Sequence, residues 1–139
     1  MAQTKIRKEQ IDIPIRMLAV VQDNDTAASV ADGVGSIFIP ILESANGMNL
    51  TEVVAFVGTA GTTSTLSVQI HNVTQAVDML STNITVDSAE TSSITAATPP
   101  VINAANDNVA QGDQLRIDVD AIHTTPSQGL SISLTFEAP

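Results

Sequence analysis

Two alternating stretches near the end of the chain constrain the fold most. From Gly112 to Ile122, Leu115, Ile117, Val119 and Ala121 alternate with Arg116, Asp118 and Asp120; from Gly129 to Glu137, Leu130, Ile132, Leu134 and Phe136 alternate with Ser131, Ser133 and Thr135. A period of two residues places successive side chains on opposite faces of an extended chain, so each stretch reads as a strand with one buried and one wet face. Six residues, His123 to Gln128, separate them, with Pro126 to interrupt a ladder and Gly129 to free the backbone at the return. Antiparallel pairing of the two would put both apolar rows on one side of a sheet, which then needs a second layer to cover it.

The material for that second layer is aliphatic. The chain has no tryptophan or tyrosine and only three phenylalanines, Phe38, Phe56 and Phe136, so valine, isoleucine, leucine and alanine must fill the core. The same shortage removes the aromatic platforms on which sugars and bases stack, which argues against a typical carbohydrate-binding module or an aromatic single-strand binder. With 139 residues, one domain can bury enough surface to fold without covalent staples, and the absence of cysteine excludes disulfides, a thiol nucleophile and cysteine-built zinc sites.

Charge is divided unevenly along the chain. The net charge of -10 opposes binding to phosphates or anionic lipids, so neither nucleic acid nor membrane is expected as a partner. Four of the five basic residues, Lys5, Arg7, Lys8 and Arg16, fall in the first sixteen positions, and Arg116 alone follows among thirteen acids. Residues 1–16 therefore read as an extended basic arm, with Ile6, Ile11 and Ile13 as its apolar contacts and Pro14 opposing a long helix. Lys5, Ile6, Arg7, Lys8, Ile11, Ile13 and Arg16 form the candidate assembly surface, able to dock on the acidic body of a neighbouring copy. No apolar run reaches membrane-spanning length, and residues 1–15 lack the apolar centre of a secretory signal.

Residues 17–139 read as one β-sandwich domain. Strand signals cover Met17 to Val21, Val34 to Leu42, Leu50 to Val57, Thr65 to His71, Asn83 to Asp87 and the two C-terminal stretches. Ala76 to Leu80, Ser92 to Ala96 and Val101–Ile102 give shorter ones, and Asn103 to Gln111 is a polar turn region in which Val109 can tuck back into the core. Seven or eight strands separated by Gly, Pro, Asn and Asp signals, without a normal-length amphipathic helix, favour an all-β antiparallel sandwich, with a jelly roll ahead of an immunoglobulin-like order.

Candidate sites are few. Asp118 and Asp120 share a strand face with Asp113 just upstream, and Asp23, Asp25, Asp32 and Asp107 are further acids, a set whose oxygens suit a hard cation such as calcium. The spacing does not match an EF-hand, and solvated strand faces and polar turns account for them; Arg116 offsets part of the field, and no metal site is assigned. Glu43 and Glu52 lack anything that would fix a glycosidase separation. His71 and His123 lie at strand ends and read as surface histidines, without the further ligands of a zinc site or the serine of a triad. Gly58 to Gly61 lacks a P-loop lysine, and the triplets beginning at Asn49, Asn72 and Asn83 carry no weight without a secretory route. No catalytic residue and no cofactor is expected.

The segments Leu80 to Ser93, Ala96 to Ile102 and Gly112 to Ile122, within a region from Val34 to Phe136, resemble a recurrent β-sandwich module of tailed-phage virion proteins, and Thr4 to Ile11 resembles the lead-in of phage structural proteins. Such modules occur in head decoration proteins, head fibres and tail-tip or fibre proteins, and bring no catalytic residues. The resemblance implies a non-enzymatic capsid decoration protein on the outer head surface. Its partners would be the major capsid protein and neighbouring copies of itself, as a homo-oligomer of the trimeric kind common at threefold positions. A tail-tip or fibre component touching host glycans is the alternative it implies.

Overall fold

The computed structural model describes residues 13–33 and 38–139. The chain is all-β, two larger antiparallel sheets and a two-stranded pair, with no α-helix among the described residues. Its strands are β1 (Ile15–Val20), β2 (Ala31–Asp32), β3 (Phe38–Pro40), β4 (Asn49–Phe56), β5 (Leu66–Asn72), β6 (Val77–Asp78), β7 (Leu80–Thr82), β8 (Ile84–Val86), β9 (Val101–Ile102), β10 (Gln114–Ala121) and β11 (Ser131–Glu137). One sheet has the order β1-β11-β4. The other runs β2-β10-β5-β6, with β3 also paired to β10 and β8 to β5, while β7 and β9 form a separate pair.

The two C-terminal stretches form strands where their alternation places them, but not as a hairpin. β11 lies between β1 and β4, and β10 pairs with β5, β2 and β3, so the connection crosses from one sheet to the other. Each strand carries an apolar row fit to be the inner face of a layer, and the rows serve better facing one another across the core than lying side by side. Leu115, Ile117 and Val119 of β10 and Ile132, Leu134 and Phe136 of β11 are all buried in that core. Gly129 takes a left-handed conformation, φ 70°, where the crossing reaches β11, and not at a hairpin return.

Among the described residues eleven short strands stand where the sequence reads seven or eight, because brief paired segments such as Ala31–Asp32 and Val77–Asp78 join the sheets as strands of their own. Ala76 to Leu80 divides between β6 and β7, and Val34 to Leu42 contributes only Phe38–Pro40 among its described residues. Ser92 to Ala96 is a 3-10 turn, Ser93–Thr95, whose Ser92 hydroxyl accepts from Ile94 N–H while Ser93 Oγ accepts from Ala55 N–H. Val109 is fully buried, as its apolar character among polar neighbours requires. Phe136 is the one buried phenylalanine; Phe38 and Phe56 are exposed, leaving aliphatic side chains to fill the rest of the core.

Of the expected arm, Lys5, Ile6, Arg7, Lys8 and Ile11 lie outside the described residues. Ile13 is exposed, and Arg16 is already inside β1, opposite Thr135 of β11.

Candidate functional site

The acids do not gather into one site. Asp113, in the turn entering β10, is buried and uses a single oxygen for three donors: Asn72 Nδ2 at 2.9 Å, Gln75 Nε2 at 2.6 Å and the Ala110 N–H at 3.0 Å. Burial alone would raise its pKa; the hydrogen bonds from Ala110, Asn72 and Gln75 outweigh that and hold the carboxyl below its ordinary value. The carboxylate ties the end of β5 and the turn after it to the loop before β10. Asn72, fully buried within this cluster, presents no amide to solvent.

Asp118 is the main correction to the sequence reading, because it is buried and not solvated. Alternation does place it on the outer face, but β10 is the centre of its sheet, with Asp32 of β2 on one side and Gln69 of β5 on the other. Arg116 grips it through two hydrogen bonds, Nε to Oδ1 at 2.6 Å and a terminal nitrogen to Oδ2 at 2.8 Å, and the Gly33 N–H adds a third at 2.8 Å. The bond to Asp118 raises the Arg116 pKa above its ordinary value, although burial acts the other way. Asp32 lies 3.9 Å from the same guanidinium. Asp120 remains exposed and accepts from Asn83 Nδ2 at 2.6 Å. Among the described residues no group of three or more His, Asp or Glu side chains is arranged to hold a metal ion.

The histidines have different environments. His71, half-buried, meets Asp78 at 2.7 Å through Nδ1. His123 is buried, contrary to the surface position expected for it; its Nδ1 has no hydrogen-bond partner and its Nε2 lies 3.4 Å from the Asp87 carbonyl. The reason is Gly61: a Cβ there would sit 2.3 Å from His123 Nδ1, so the missing side chain makes the space the imidazole occupies. The glycine-rich loop thus serves packing, and its signal was the glycine's position opposite a bulky ring, which only the fold reveals.

Glu52 lies on the outer face of β4 and accepts from Thr135 Oγ1 at 3.1 Å, while Glu43 belongs to the 3-10 turn before that strand. A shallow cleft of about 390 Å³ beside β4 is lined by Thr51, Glu52, Val53, Pro100, Val101 and Ile102, with one carboxylate and no second beside it.

The three-stranded sheet carries exposed apolar side chains at its margins. Leu18 and Val20 of β1 are 69% and 58% exposed, and Phe56 of β4 is 38% exposed. All three lie on the outer side of the three-stranded sheet, of which β1 is an edge. The sequence reads Met17 to Val21 as an apolar strand without distinguishing its faces; Met17, Ala19 and Val21 turn inward, which leaves Leu18 and Val20 outside. No family model, no curated protein and no solved structure matches the chain.

Proposed function

We propose that the chain is a non-enzymatic structural protein of a tailed-phage virion, a decoration protein that binds the outer surface of the head and stabilises the shell together with neighbouring copies of itself. The observation that carries the reading is the position of β1. Lys5, Arg7 and Lys8 precede this edge strand in sequence, and the strand itself carries Arg16 with the open side chains of Leu18 and Val20. A cationic segment that leads into an apolar sheet face suits a protein held in many copies by modest contacts, whose joint effect exceeds any one of them. The resemblance of Leu80 to Ser93 and Gly112 to Ile122 to virion sandwich modules points the same way.

Antibody labelling of intact virions, viewed by electron microscopy, tests the assignment. Label distributed over the head is the expected result, and label confined to the tail, or absent from particles, would overturn it. Removing residues 1–13 should then lower the number of copies per head; unchanged occupancy would exclude the arm as an attachment.

A further inference from the structure

The outer face of the three-stranded sheet has an order that the registers make explicit. β11 pairs with β1 and β4 so that outward side chains line up in three rows: Arg16–Thr135–Glu52, Leu18–Ser133–Val54 and Val20–Ser131–Phe56. The middle column is small and polar, and the outer columns carry the apolar residues and one charge of each sign. The bulge between Thr135 and Phe136 allows this, since it lets Glu52 and Val54 share a face while Leu50 points into the core. Arg16 is exposed and makes no salt bridge among the described residues.

We propose that this face packs on the same face of a second copy, about a two-fold axis lying between the sheets and parallel to β11. That operation exchanges the β1 and β4 columns and keeps the rows. Arg16 of each copy then meets Glu52 of the other, Leu18 meets Val54, Val20 meets Phe56, and Ser131 and Ser133 face their equivalents, while Thr135 is buried and takes no part in the contact. An axis across the strands would instead set Arg16 over Val20, and leave the charges unpaired. Stacked sheets lie about 10 Å apart, a gap that arginine and glutamate are long enough to bridge, and the usual crossing of about 30° tilts the axis only about 15° from β11 and keeps the rows. A two-fold contact uses one self-complementary patch, which the rows provide; a closed trimer needs two different patches.

The face is small. Three strands about 4.8 Å apart and about seven residues at 3.3 Å each cover roughly 14 by 23 Å, so the pair would cover only about 650 Å² of projected area in total, below the range of stable interfaces and suited to a weak, transient contact. A contact of this size is expected to hold only in the micromolar range, with its strength set by complementarity and not by area. The contact deepens the reading of the chain as a multi-copy assembly protein and rests on it for its setting, but the pair would form in solution, so the two fail separately: a chain monomeric in solution can still label heads.

Sedimentation of the full chain from about 5 to 500 µM brackets that affinity. A monomer–dimer equilibrium is expected. Arg16→Glu and Glu52→Arg, both at exposed positions, should each weaken it at least about tenfold, because each sets like charges against one another, and the double variant Arg16→Glu/Glu52→Arg should return to within about threefold of the parent. Circular dichroism shows whether each variant keeps the parent fold. A strict monomer, a trimer, a double variant no tighter than the singles, or a dimer that appears only after removal of residues 1–12 would each overturn the pairing; the last would make that segment the occupant of the face.

Discussion

Single carboxylates in this chain act as internal ties. Asp113 offers the sharpest case, because its charged form accepts three hydrogen bonds in a buried turn and its pKa is depressed. A group with a depressed folded-state pKa contributes stability that is fully present above its unfolded value, ordinarily 3.8, and is lost as pH falls through the folded value. Asp113→Ala should therefore cost about 2–3 kcal/mol at neutral pH, since Asn72 and Gln75 lose a charged acceptor in a buried place. Urea unfolding at a series of pH values should also show the variant's stability falling less steeply than the parent's below 3.8, where the parent protonates this group. Asp118 is tied as tightly: Arg116, two positions away on the same strand, fixes its side chain, and the Gly33 N–H, from the end of β2, is the one long-range link that side chain makes among the described residues.

Strands show what alternation can and cannot reveal. The inward rows of β10 and β11 are readable because a two-residue period specifies faces whatever the pairing. The pairing is not readable, since six intervening residues suit either a hairpin or a crossing between layers. Burial of a polar residue is hidden for a related reason: Asp118 and Asp120 have the same local pattern, and only the neighbours of β10 make one buried and the other exposed. His123 escapes because its pocket is made by Gly61, far back in sequence. Gln69 completes the picture at the junction of β5 and β7. Its side chain accepts from the Leu80 N–H at 3.1 Å and donates to the Leu80 carbonyl at 3.1 Å, standing in for a ladder where two strands do not pair. Gln69→Leu keeps the bulk and leaves both backbone groups of Leu80 without that partner, a loss of about 2–4 kcal/mol. The denaturation midpoint should drop with the m-value unchanged; an unaltered midpoint would show that water replaces the amide.

Across the whole molecule, the net charge of -10 works against compactness. At low micromolar concentration, raising potassium chloride from low to moderate strength should stabilise the fold on the order of 1 kcal/mol, a rise in Tm of about 3 °C by calorimetry. A fall would mean that attractive pairs such as Arg116 with Asp118 outweigh the repulsion. The order of the three-stranded sheet has another consequence, one of timing. Its central strand, β11, is also the last of the three to be synthesised, beginning at Ser131 while β1 ends at Val20. At ribosomal speeds the intervening chain takes roughly 5 to 20 seconds to appear. Throughout that interval β1 and β4 have no mutual partner, so the nascent chain carries two unpaired sticky strands, and the sheet can close only when its keystone emerges.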